Sequence, residues 1–506
     1  MEHFDVIVVG AGLSGIGAAY HFKTRCPNKS FVVLEGREQL GGTWDLFRYP
    51  GIRSDSDMFT LGYAFKPWTN PKAIADGPAI LAYLRDTARE HGIDRKIRYG
   101  HRVKHVAWSS QDARWTLDIE RPDGATLQLT CSFLSMCTGY YDYASGYDPA
   151  FPGRERFRGR IVHPQKWTSD VEYAGKRVVV IGSGATAVTL VPELAKQAAH
   201  VVMLQRSPTY IASLPAEDKL ANALRAVLPP QLAYDLSRWK AVLRSQFFYQ
   251  LARRRPQQFA KALIDLIEKR VGPEVDVQKH FTPKYKPWDQ RLCLVPDNDL
   301  FDALRERRAS IVTDTIESFT ETGIQLTSGE TLEADLIVTA TGLQLQFLGG
   351  ATGSVDGEPM ALNKAFNYRG CMFSDIPNFA VAVGYTNASW TLKVDLTSAY
   401  VCRVINHMDA IGARQCTPRV READLREEPI LDFNSGYVQR AASLLPKQGS
   451  KHPWKLYQNY IFDIVTLRYA PVDDGTLEFS GGAVRSAAGR TWRRTWDALG
   501  HRPARA

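Results

Sequence analysis

The sequence predicts an α/β chain built on two βαβ units, one early and one central, with a helical insertion in the second. Three observations carry this. A strand pattern, a glycine-rich turn and a helical pattern open the chain at residues 5–23. The same order returns at residues 177–198. Between about 215 and 290, long helical patterns rich in Arg, Lys and aromatic residues replace the strands.

Each element follows from its residues. Asp5 to Val9 is an apolar, β-branched run, and Gly10-Ala11-Gly12-Leu13-Ser14-Gly15 follows it. A helical stretch reaches about Lys23, and Phe31 to Leu34 forms a second strand ending at Glu35. In the centre, Arg177 to Ile181 is a strand, Gly182-Ser183-Gly184-Ala185-Thr186-Ala187 the turn, Thr189 to Ala198 the expected helix and Val201 to Leu204 the next strand. Strand patterns return at Ile311-Val312 and Leu336 to Thr339. Short strands and helices alternate from about residue 370. The tail, Arg485 to Ala506, is basic and reads as a mobile terminus.

Composition bounds the class. The chain has 506 residues, 44% hydrophobic and 23% charged, which is ordinary for a globular protein. Seven scattered cysteines form no CxxC and no zinc spacing, so a reducing cytoplasm, buried free thiols and no metal are expected. The start enters a strand with no signal-peptide pattern, and no apolar run is long enough to span a bilayer. The net charge of +9 is a solvated surface by default. The basic insertion, with Arg238-Trp239-Lys240 and Arg253-Arg254-Arg255, admits three readings: a solvated cap, a peripheral membrane patch involving Phe247, Phe248 and Tyr249, or a partner surface. No nucleic-acid partner is expected, and no oligomeric state is read from these residues.

The two glycine motifs carry the chemistry. Gly10 permits the tight turn, Gly12 lets backbone approach a pyrophosphate, and Gly15 lets helix and strand pack closely. The helix start at Leu13 and Ser14 offers amides to phosphate. Glu35, twenty positions past Gly15, is placed to accept hydrogen bonds from ribose hydroxyls. Gly182, Gly184 and Ala187 repeat this geometry. Gln205-Arg206-Ser207 then stands where the first unit has its acid, and arginine suits a 2′-phosphate. These are the marks of two Rossmann-like dinucleotide-binding domains, for FAD in front and NADPH behind. The expected division is 1–145 for the first part of the FAD domain, 146–214 for the first part of the NADPH domain, and 215–290 for the insertion. Residues 291–345 complete the NADPH domain, and 346–506 the FAD domain with its tail.

Two longer patterns resemble a known family. Phe157-Arg158-Gly159-Arg160-Ile161-Val162-His163-Pro164-Gln165-Lys166-Trp167 fits the FxGxxxHxxxW fingerprint of type I Baeyer–Villiger monooxygenases. A second signature runs from Gly41-Gly42-Thr43-Trp44 through Tyr49-Pro50-Gly51 to Asp55. Within the family the chain most resembles the ethionamide-activating monooxygenase group, through Asp45 to Met58, Trp288 to Cys293 and Gly384 to Lys393. Two positions depart from the family pattern. Thr168 follows the fingerprint where Pro or Asp is usual, and Gln290 replaces a lysine, leaving more of the 2′-phosphate to Arg206.

The resemblance implies a NADPH-dependent flavoprotein monooxygenase that transfers one atom of O2, through a C4a-peroxyflavin, to a small ketone or sulfide. It implies Arg291 as the catalytic guanidinium and Asp55 as its neighbour. FAD contacts would be Ser14, Glu35, Thr43, Trp44, Asp45, Leu46 and Val103. NADP contacts would be Arg53, Ser54 and Asp55, the turn Gly182, Ser183, Gly184, Ala185, Thr186, Ala187 and Val188, then Arg206 and Ser207. His163 is read as a structural residue of the linker between the two domains. Trp390 is read either as a wall of the flavin site or as a core tryptophan. Two alternatives stand beside this reading: a flavin monooxygenase restricted to nitrogen and sulfur, and a flavin- and NADP-binding sensor without turnover.

Overall fold

A computed structural model describes residues 1–290, 292–430, 436–441 and 443–482. The basic tail from Arg485 lies outside the described residues, as does Arg291. The early unit is built from β1 (Glu2–Val9), α1 (Leu13–Arg25), β2 (Phe31–Leu34), β3 (Ile97–Arg98), β4 (Arg102–Ser109), β5 (Arg114–Glu120) and β6 (Thr126–Met136). The sheet runs Glu358–Pro359, Thr352–Val355, β4, β5, β6, β1, β2, β3, and Phe379–Val381 also pairs with β6. β1 lies parallel to both β2 and β6, whereas β4, β5 and β6 form an antiparallel meander.

The side-chain alternation of a strand divides β1 between two cores. Val6 and Val8 pack with Ile16 and Phe22 of α1. Ile7 and Val9 pack with Trp108 of β4 and Trp115 of β5. Both faces of β1 are therefore covered, which is why its second half is apolar without interruption.

The central unit comprises β7 (Arg160–Val162), β8 (Arg177–Ile181), α2 (Ala185–Leu194), β9 (His200–Gln205), β10 (Ala309–Thr313) and β11 (Leu336–Thr339). Its sheet is wholly parallel, in the order β10-β9-β8-β11-β7. The helix expected over Thr189–Ala198 instead begins at Ala185 and ends at Leu194. Gly184 holds extended backbone at φ −81°, ψ −176° and acts as the N-cap, so the helix starts on the next residue. Gly12 does the same before α1, at φ −78°, ψ −170°. All seven cysteines are buried, as expected.

The insertion contains α3 (Lys219–Val227), α4 (Pro230–Arg254) and α5 (Pro256–Val271). α4 docks on the early unit through polar contacts. The buried Arg238 Nη1 donates to the carbonyls of Phe59 at 2.7 Å and Gly62 at 2.8 Å. The Tyr234 hydroxyl donates to the Tyr63 carbonyl at 3.0 Å. Arg238→Ala removes both charge-assisted bonds and leaves two carbonyls short of a donor. It should destabilise the protein by about 2–4 kcal/mol, read as a lower urea midpoint and faster proteolysis within residues 215–290. An unchanged midpoint would mean that α4 is held by other contacts. The chain returns to the first core in α6 (Trp390–Ile411), which packs along α1.

Candidate functional site

The first glycine turn and the start of α2, just past the second turn, open on one cleft of about 620 Å3. Gly10 has φ +105°, and a Cβ there would stand 2.5 Å from the Cys137 carbonyl oxygen. A Cβ on Gly15 would stand 1.8 Å from the Gly10 carbonyl oxygen, so this glycine is required for α1 to pack against its own turn. Leu13 and Ser14 line the cleft from the start of α1, and Ala185 and Thr186 from the start of α2. No side chain caps either helix. The first-turn amides and the positive dipole ends thus remain directed at the space a pyrophosphate would fill.

Glu35 stands at the end of β2 and is buried. One carboxylate oxygen accepts from the Ala11 amide at 2.7 Å, the other from the Arg37 amide at 2.9 Å. Burial pushes this carboxyl above its ordinary range, and the two amides oppose that. Each oxygen keeps a lone pair for a ribose hydroxyl. Glu35→Gln would turn one amide acceptor into a donor facing an N–H. The variant should lose about 1–3 kcal/mol of local stability, and FAD affinity should weaken roughly 10-fold or more on the same scale. Flavin fluorescence titration measures this; wild-type affinity would show that the carboxylate is dispensable.

The second signature lines the same cleft. Thr43, Trp44, Leu46, Arg53, Ser54 and Asp55 border it, and Val103 enters from β4. Asp45 is instead a buried ionic centre, with Arg37 at 2.8 Å and Arg48 at 3.2 Å. Arg53 forms an ion pair with Asp299, whose carboxyl burial pushes up while Arg53 pulls it down. This pair fastens the signature loop to the central unit. Trp390 also lines the cleft; its Nε1 donates to Ser14 Oγ at 2.9 Å, and its ring stacks on Tyr140 with centroids 4.9 Å apart.

In the second motif, Gly182 has φ +140° and a Cβ would stand 2.4 Å from the Ala340 carbonyl oxygen, while Gly184 faces open space. Ala187 and Val188 are buried in the core of the central unit. Arg206 and Ser207 are exposed in the turn after β9. That turn is tied to the motif by Ser183 Oγ and Thr209 Oγ1, 3.1 Å apart. The neighbouring Gln205 is buried and donates to the His280 carbonyl and to Thr313.

His163 ties the segment after β7 to the segment after β11. Its Nε2 donates to the Gly342 carbonyl at 3.1 Å and its Nδ1 accepts from the Gln165 amide at 3.2 Å. Burial lowers its pKa, which keeps the ring neutral. Thr138, Gly139 and Tyr140, which no sequence motif marks, also line the cleft. Their signal was the apolar run of β6 ending in Thr-Gly, the carboxyl end of a parallel strand beside β1.

A second cavity, of about 810 Å3, shares Asp55, Ser56, Leu294 and Ala388 with the cleft. Apolar side chains of α4 and α5 form much of its wall, and Trp288 and Leu292 border it. Among the described residues no His, Cys, Asp and Glu cluster could hold a metal ion.

A model of flavin-binding monooxygenase-like proteins matches residues 70–415, and one of NAD(P)-binding Rossmann-like domains matches residues 8–70. The chain is 54% identical to the FAD-containing monooxygenase EthA of Mycolicibacterium smegmatis, over 95% of this chain and 97% of that protein. It is 50% identical to the putative FAD-containing monooxygenase MymA of Mycobacterium tuberculosis, over 96% and 99%. The fold matches a solved steroid monooxygenase bound to NADP with a TM-score of 0.73, at 24% identity, over 95% of this chain and 100% of that one.

Proposed function

The chain belongs to the flavin-binding monooxygenase-like family, and from that premise we propose an FAD- and NADPH-dependent enzyme that inserts one atom of O2 into apolar ketones and oxidises sulfides. The observation that carries it is the convergence of two uncapped helix starts, α1 and α2, on a single cleft that opens into an apolar cavity at Asp55. FAD fits the turn Gly10, Gly12, Ser14 and Gly15 with Glu35, and the wall of Thr43, Trp44, Leu46 and Val103. Asp45 acts there by fixing Arg37. NADPH fits the turn from Gly182 to Val188, with Arg206 and Ser207 toward its 2′-phosphate and Arg53 and Ser54 at the inner end. Residues 1–145 and 346–506 are read as the FAD part, 146–214 and 291–345 as the NADPH part, and 215–290 as the insertion. Membership of the two sheets supports this division.

Bound flavin, reduced by NADPH, supplies the activated oxygen. This chain's residues must hold charge and keep water away. Arg291 presents a permanent cation and a planar fork of donors to the negative charge that develops on oxygen as the new bond forms. Asp55 orients that guanidinium and balances its charge. Its place at the junction of cleft and cavity supports the role, as do Trp288 and Leu292, which flank Arg291 in sequence and border the same cavity. The apolar cavity wall excludes water from the substrate side.

Mass spectrometry of products formed with FAD-loaded protein, NADPH, 18O2 and a mixed panel of ketones and sulfides tests the reading. An ester or lactone with one heavy oxygen is the expected product. Labelled sulfoxides with every ketone untouched would favour the enzyme restricted to nitrogen and sulfur. Peripheral membrane contact through the basic insertion is proposed beside the oxygenase reading and does not depend on it. No helix among the described residues is long and apolar enough to cross a membrane.

A further inference from the structure

The insertion carries its apolar face outward. On α4, the inward side holds Ala233, Ser237, Ala241 and Val242 with Tyr234 and Arg238, mostly small or polar groups. The outward side holds Leu232, Leu236, Trp239, Leu243 and Phe247, spaced four, three, four and four residues apart. Leu243 is 54% exposed and Phe247 63%. The Trp239 ring lies 6.2 Å from that of Tyr460, which brings the helix Tyr460–Ile464 alongside, with exposed Ile461. Scattered apolar residues are ordinary on a surface, whereas a continuous face of this kind marks a contact.

Charge identifies what it contacts. Residues 215–290 hold fourteen Lys and Arg against eight Asp and Glu, so most of the chain's +9 sits here. Arg253, Arg254 and Arg255 are exposed at the end of α4, just beyond Phe247 and Phe248. Apolar rings beside guanidinium groups complement an anionic bilayer, with acyl chains for the first and headgroups for the second. A second copy of this chain would bring two strongly cationic faces together, which opposes self-association.

The cavity bordering Asp55 reaches this same face. Phe248 and Leu266 line it and are 45% and 47% exposed, so they form its outer rim. The Phe248 ring lies 5.6 Å from that of Phe247 on the outward stripe. We propose that the outward face of α4 rests on an anionic membrane and that apolar substrate passes from the lipid between α4 and α5, past Phe248 and Leu266, to the inner end at Asp55. The substrates are then molecules that partition into a bilayer and carry a carbonyl or sulfur that reaches that end. The route rests on the oxygenase reading above; the docking face does not.

The test uses FAD-loaded protein and a double variant, Leu243→Glu with Phe247→Glu, at two positions outside both cavity linings. Flotation is measured with vesicles of equal parts phosphatidylcholine and phosphatidylglycerol. Turnover is measured on 2-tridecanone dissolved in those vesicles and on water-soluble 2-butanone. Wild-type protein should float, less so at high salt, and the variant should bind about tenfold more weakly or worse. The variant's kcat/KM should fall about as far on 2-tridecanone and stay unchanged on 2-butanone. Equal flotation of both proteins overturns the proposal. So does a wild-type dimer that does not float and that the variant splits, since the face would then be a self-association surface. Equal turnover of both ketones by both proteins overturns the route. If neither ketone is oxidised, the oxygenase reading fails alone, and flotation still decides the docking face.

Discussion

Arg291→Ala should abolish ester and lactone formation while leaving NADPH-driven flavin reduction within about twofold of wild type. Removing one donor aimed at developing oxyanion charge costs roughly 10²–10³ in rate. A guanidinium that also supplies net positive charge should cost at least about that much. Arg291→Lys keeps the charge without the planar fork and should recover only part of the loss. Stopped-flow reduction under nitrogen isolates the first half of the cycle, and product analysis in air reports the second. Ester formation at the wild-type rate would remove Arg291 from the chemistry. Loss of reduction together with oxygenation would place the arginine in nicotinamide binding instead. Asp55→Asn separates the two residues further: an orienting role predicts a smaller fall, on the order of tenfold, and little added loss in the double variant.

What could be read from the chain depended on distance along it. The glycine turns were legible because strand, turn and helix are consecutive, and the φ values of Gly10 and Gly182 match what such turns demand. Glu35 was legible as an acid at a strand end. Its bonds to the amides of Ala11 and Arg37 were not, because they depend on how β2 lies against the first turn. The pairing of Arg53 with Asp299 joins residues 246 positions apart, and nothing local announces it. Asp45 was legible as part of the signature, but its neighbours Arg37, Arg48 and Arg85 were not, because the fold brings them together. The sequence marked residues 215–290 as helical, basic and aromatic, but not which way the apolar residues of α4 face. That direction is set by Arg238 and Tyr234 finding carbonyls on the early unit, and it turns the leucines outward.

Two substitutions two residues apart should fail in opposite ways. Gly182→Val should yield little soluble protein or a strongly lowered Tm. It asks a β-branched residue to hold φ +140° with a Cβ 2.4 Å from the Ala340 carbonyl oxygen, a backbone atom of the strand-end turn that has no room to yield. Positional strain of this kind costs on the order of 1–3 kcal/mol, and the clash adds to it. A Cβ on Gly184 would meet no neighbouring atom within 4 Å and the residue sits at φ −81°, so the Gly184→Val protein should fold with its thermal stability and FAD content intact. The added side chain would occupy the approach to the α2 amides. KM for NADPH should therefore rise about 100-fold, with FAD binding untouched because that site uses the turn before α1. Thermal melts with visible spectra separate folding from flavin content, and NADPH titration of the reduction rate reads the second effect. A Gly184→Val protein with wild-type KM would mean that the second turn does not carry the pyrophosphate, and the assignment of NADPH to the central unit would fall with it.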